Sequence, residues 1–125
     1  MRHVAPGTSV AMRVVVTPAD QAAFDGEVVH PVYGTAAMIR HVEQVSRWLL
    51  AMALEPGEEG VGRSISLKHR APVPVGAEVE LVATVLDCTP ATLVTEVVVQ
   101  HDGDPVAVAG FTQAVVDAET FGRFS

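Results

Sequence analysis

A chain of 125 residues has the length of one ordinary domain and can bury a core without disulfide or metal staples. Its formal charge of −7, from 15 acidic and 8 basic residues, excludes the broad basic surface that nucleic acid or an anionic membrane would need. Hydrophobic residues make up 49% and aromatics only 5%, which excludes a disordered chain and predicts a strand-rich core of Val, Ala and Leu.

In chain order, residues 1–8 read as an irregular lead-in with no signal peptide. Ser9–Val16 is the first expected strand, closed by Thr17-Pro18. Pro18–Pro31 is mixed and interrupted by Asp25-Gly26; a helical turn over Ala19–Phe24 and a brief extended piece at Val28–His30 are expected there. Gly34–Leu54 carries the clearest helical pattern, with Met38, Val42, Val45, Leu49 and Met52 at spacings of three and four. Thr35 is its N-cap or a first-turn residue, and Pro56-Gly57 stops it.

The period then changes to two. In Val61–Arg70, Val61, Ile65, Leu67 and His69 share one parity, while Ser64, Ser66, Lys68 and Arg70 share the other. Glu78–Asp87 and Thr92–His101 follow as strands, and Asp102-Gly103-Asp104-Pro105 is a hairpin signal leading into Val106–Val116. Asp117–Ser125 reads as a frayed tail. The order predicts an α+β fold, a curved antiparallel sheet wrapped around one long helix, as a single domain over residues 1–125. The helix is apolar on more than one side, so a second copy of the chain is expected to cover what the sheet does not.

Cys88 is the only cysteine, so no intrachain disulfide forms, and the five histidines follow no metal-ligand spacing. With no apolar run near the roughly 20 residues of a membrane span, a cytoplasmic location is expected. Lys68 and Arg70 form a short basic cluster that can still receive an anionic ligand locally.

Three polar residues interrupt apolar surroundings: Thr35 at the helix start, Glu43 in its middle and His69 on the apolar parity of the next strand. Each has a plain structural role open to it, as a helix cap, as an ion-pair partner of Arg40 or Arg47, and as a strand histidine. Thr35 and Glu43 lie two turns apart, their directions differing by roughly 80 degrees, so both can border one cleft. A carboxylate and an imidazole near a hydroxyl can activate a nucleophile or water and manage the proton, and free N–H groups of a helix start can hold a developing oxyanion.

Over roughly Val10 to Val116 the sequence resembles the hotdog-fold thioesterases, specifically the fluoroacetyl-CoA thioesterase-like group. The likeness rests on Tyr33–Leu54 as the central helix, on Leu54-Glu55-Pro56-Gly57-Glu58 followed by Gly62, and on the Val61–Arg70 strand. The resemblance implies that Thr35, Glu43 and His69 are catalytic and that the Gly62 backbone lines the acyl site. Gly34, Tyr33 and Gln113 complete the substrate-side set. It implies hydrolysis of an acyl-CoA or acyl-carrier thioester by a homodimer, with no metal or redox cofactor. Gln113 stands where the specialised enzymes carry an arginine, and Phe24 and Tyr33 are the only aromatics between Thr17 and Thr35. Both departures imply a different acyl group. The alternatives are an acyl-thioester-binding protein with little turnover and a hotdog enoyl hydratase or dehydratase, of which His30-Pro31-Val32-Tyr33 is a weak echo.

Overall fold

The computed structural model describes residues 1–122. Alternating Val, Leu and Ala residues form β1 (Ser9–Val15), β5 (Glu78–Cys88), β6 (Thr92–His101) and β7 (Asp104–Asp117); β4 (Glu58–His69) follows the helix α1 (Thr35–Ala51). These five strands make one antiparallel sheet in the order β1-β5-β6-β7-β4. A separate hairpin, β2 (Gln21–Phe24) and β3 (Glu27–Tyr33), precedes α1. Met38, Val42, Val45 and Leu49 of α1 are buried with Leu81, Leu93, Val97 and Phe111 of the sheet in one core cluster. Each such side chain contributes roughly 1.5–3 kcal/mol by leaving water. This is the expected architecture, a long helix packed on a curved sheet.

The hairpin corrects the expectation for Pro18–Pro31. A 3₁₀ turn occupies Pro18–Asp20, and the chain is extended from Gln21 where a helical turn was expected. Asp25 and Gly26 both have positive φ (52° and 79°), as do Asp102 and Gly103 (51° and 81°). Two such residues in succession make the tight turn whose twist suits a two-residue hairpin. The Asp25-Gly26 pair is therefore the centre of a hairpin, not an interruption. At the other end β7 runs through Asp117, and Glu119–Gly122 forms a helical turn (α2) where a frayed tail was expected. The rest of that tail lies outside the described residues.

β4 also departs from the simple alternation. Its register on β7 shifts between Gly62 and Ser64, leaving Arg63 as the extra residue of a β-bulge. Side-chain positions at Gly60 and Gly62 point at α1, toward Leu50 and Glu43, and beyond the bulge His69 reaches Thr35 of the same helix. Val61 therefore does not share a face with Ile65, Leu67 and His69; one inserted residue flips the parity. β4 pairs with β7 along one edge only, so its other edge is open among the described residues. No helix among these residues is long and apolar enough to cross a membrane.

Candidate functional site

The start of α1 is fixed by glycine. Gly34 is the N-cap and its N–H donates to the Asp20 carbonyl at 2.8 Å. A Cβ at this position would come within 3.0 Å of the Ala22 backbone, so only glycine lets the 3₁₀ turn and β2 approach so closely. Thr35 is consequently the first helical residue, and its side chain is free of capping. Its Oγ1 lies 3.2 Å from His69 Nδ1, at the end of β4. The other ring nitrogen, Nε2, is buried and has no hydrogen-bond partner. Buried polar atoms are nearly always satisfied, so this one marks a place where something beyond the chain's own side chains completes the arrangement. His69 borders an open cavity of about 250 Å³ with Val32, Arg70, Ala71 and Pro72.

Two turns along α1, Glu43 has lost both cations within helical reach. Arg47 holds Glu59 at 2.6 Å and the Gly60 carbonyl at 3.2 Å; Arg40 holds Asp20 at 3.3 Å. The Glu43 side chain has neither an ion pair nor a hydrogen bond among the described residues. Its carboxylate instead lies over Gly62, where a Cβ would sit 2.8 Å from Oε2 and 3.0 Å from Phe111 Cζ. The adjoining cavity, also about 250 Å³, is lined mainly by Ile39, Glu43, Gly62, Arg63, Ile65 and Phe111.

One chain therefore brings Thr35 to His69 and Glu43 to Gly62 but does not join the two pairs, which lie about 12 Å apart along the helix. Gln113 lines neither cavity. It stands opposite Gly62 in register, is 2% exposed, and donates from Nε2 to the Ser46 carbonyl at 3.1 Å. Thr95 Oγ1 donates to Ser46 Oγ nearby, so this buried polar set ties the sheet to α1. Tyr33 and Gly34 are buried at the helix entry.

The family profile of the fluoroacetyl-CoA-specific thioesterases matches residues 16–119, most of the chain and every residue of both pairs. The chain belongs to that family. It is a thioesterase with the hotdog fold. Among solved structures, a thioesterase-superfamily protein of Thermus thermophilus superposes with a TM-score of 0.94 at 28% identity, over 99% of this chain and 92% of that one. The fluoroacetyl-CoA thioesterase FlK gives 0.88 at 23% identity over 98% and 95%. A hot-dog-like protein of Thermanaerovibrio acidaminovorans gives 0.87 at 22% over 95% and 88%. No curated protein matches the sequence.

Behind its helix entry this thioesterase holds a second polar network that sequence reasoning missed. Asp20 is nearly buried; its Oδ2 accepts from the Thr17 N–H and hydroxyl, both at 3.0 Å, and its Oδ1 faces Arg40 and, at 4.0 Å, His41 Nε2. His41 Nδ1 in turn bonds the Tyr33 hydroxyl. Thr17-Pro18-Ala19-Asp20 has the spacing of a capping box, which was the available signal for Asp20. His41 carries no comparable signal, being one of five histidines without metal-ligand spacing. Burial, reinforced by Asp20, raises the Tyr33 pKa, so its O–H persists. Burial lowers that of His41, partly opposed by Asp20.

The sign of the His41 effect is definite. Below its ordinary value of 6.5 the unfolded chain takes up the proton first, so this contribution is intact above 6.5 and is lost as pH falls through the lower folded value. The urea midpoint is expected to decline as pH falls below 6.5 toward the lower folded value of His41. The double change Tyr33→Phe with His41→Leu, which removes both hydrogen-bond partners, is expected to flatten that decline.

Proposed function

We propose that this thioesterase hydrolyses an acyl-CoA using Thr35, Glu43 and His69, with Gly62 opening the space beside the carboxylate. The observation that carries the reading is Glu43: a helical carboxylate bypassed by both neighbouring arginines and turned into a cavity instead. In the reaction Glu43 takes a proton from water, and the water oxygen bonds to the acyl carbon. First-turn N–H groups of α1, which have no intrahelical acceptor, stabilise the oxyanion. The C–S bond breaks, and the proton that Glu43 took from the water passes through the Thr35–His69 pair to the leaving thiolate, which restores the Glu43 carboxylate. No metal or redox group is needed; the coenzyme A thioester is substrate, in a cytoplasmic setting.

A homodimer unites the two pairs. The open edge of β4 is 12 residues long and invites strand addition. Antiparallel pairing of two copies, with the two-fold near Ile65 and Ser66, sets His69 of one copy beside Gly62 of the partner subunit. Glu43 and His69 then serve one site from opposite chains. The cavity beside Glu43 has walls from Ile39, Ile65 and Phe111, and Gln113 is engaged with the Ser46 carbonyl, so the acyl group is small, apolar and uncharged.

A thiol-release screen over short, branched, aromatic and halogenated acyl-CoAs tests the reading. Release is expected from short apolar acyl groups, with a loss of about 100-fold in His69→Ala. Tight acyl-CoA binding without release would make the chain a thioester-binding protein, and water addition to an enoyl-CoA without free thiol would make it a hydratase.

A further inference from the structure

The chain's cations are unevenly employed. Arg13 pairs with Glu78 and Glu80, Arg40 with Asp20 and Arg47 with Glu59, while Arg2 donates to the Met52 carbonyl. Among the described residues the lysine and arginine side chains left without an ion pair or hydrogen bond are those of Arg63, Lys68 and Arg70, all on β4 or directly after it. In a chain of net charge −7, three idle cations within eight residues are a local reversal of the field.

Lys68 and Arg70 follow Ser66 on the face of β4 turned away from α1. There they border a groove of about 220 Å³ that runs across Val108 and Gly110 of β7 to Glu96 of β6 and Leu86 of β5. Arg70 also forms a wall of the cavity at His69. One side chain therefore joins the Thr35–His69 pair to an exposed basic groove, around the end of β4 at Ala71 and Pro72.

We propose that Lys68 and Arg70 bind the phosphates at the nucleotide end of coenzyme A, with the pantetheine arm passing Arg70 into the His69 cavity. The inference rests on the thioester reading above and extends it by naming the side chains that receive the nucleotide end of the coenzyme A. A guanidinium presents paired donors to phosphate oxygens, and the lysine adds a point charge. Glu96 is the opposing group, and its carboxylate weakens the site. The cations are not needed to keep the β4 edge from pairing, because in the proposed dimer that edge is already covered.

Calorimetric titration with coenzyme A and with pantetheine, which lacks the nucleotide, tests this on the intact protein. The native chain is expected to bind coenzyme A at least about 10-fold more tightly than pantetheine, with the difference shrinking as salt rises. Lys68→Ala with Arg70→Ala is expected to remove that preference by weakening coenzyme A far more than pantetheine, with Tm unchanged, whereas Glu96→Gln strengthens coenzyme A binding. Coenzyme A affinity unchanged in the folded double variant would overturn the proposal, as would a loss confined to an acyl-carrier-protein substrate. The two readings separate cleanly. Cation-dependent coenzyme A binding without hydrolysis keeps the groove and sinks the reaction. Equal hydrolysis of acyl-CoA and acyl-pantetheine by native and double-variant protein does the reverse.

Discussion

Replacing Glu43 by Gln is expected to lower kcat/KM for thioester hydrolysis at least about 100-fold while leaving Tm where it was. The substitution keeps size and hydrogen-bonding shape and removes only the charge and the basicity. No ion pair is lost with it, because Arg47 is committed to Glu59 and the Gly60 carbonyl, and Arg40 to Asp20. Glu43 is exposed, so no buried charge is uncovered either. An ordinary surface glutamate changed in this way leaves both stability and turnover alone. Loss of turnover at constant Tm thus separates a carboxylate acting on substrate from one decorating a helix. Steady-state thiol release and a thermal melt on the same preparation decide it.

Two glycines on β4 are expected to respond in opposite ways to alanine. At Gly60 a Cβ would stand 2.0 Å from Leu50 Cδ2, and Leu50 is fully buried in the core. Gly60→Ala overpacks that contact and is expected to cost about 1–3 kcal/mol of stability, read from the urea midpoint. At Gly62 the first atom met is Glu43 Oε2, the end of an exposed and flexible side chain, with Phe111 Cζ behind it. Gly62→Ala is therefore expected to cost less than about 1 kcal/mol and yet lower kcat/KM by about 10-fold or more, since it pushes the carboxylate out of its cleft. Equal stability losses at the two positions would show that Gly62 is a packing residue like Gly60.

The parts of the molecule that were legible in sequence are those with a strong period. The α1 stripe from Met38 to Leu49 and the alternation in β5 and β6 both reflect burial on one side of a regular element, and burial is what the pattern encodes. Thr35 and His69 stood out because each is polar where its neighbours are not. Glu43 stood out in the same way, but a glutamate with arginines at i−3 and i+4 also reads as an ion pair until the structure gives those arginines to Asp20 and Glu59.

What stayed hidden has physical causes. β3 is exposed along nearly all its length, so its sequence carries no alternation to find. The bulge at Arg63 inserts one residue, which no count of parity along β4 can detect, yet it decides that Gly62 and not Val61 faces Glu43. The Asp20, Tyr33 and His41 side chains come from three elements and meet only when the hairpin folds against the helix entry. Gln113 reads from the sequence as a substrate-side residue, but its amide is held by the Ser46 carbonyl in the core.

The most direct test of the account is complementation between two inactive variants. Glu43→Gln and His69→Ala are purified separately, unfolded together in equal amounts, refolded and assayed for thiol release. If one site draws Glu43 from one chain and His69 from the other, each mixed dimer regains one intact site, and about a quarter of native activity should return. If the mixture stays as inactive as its two components while mixed dimers are present, Glu43 and His69 do not meet across the dimer and the proposed site is wrong.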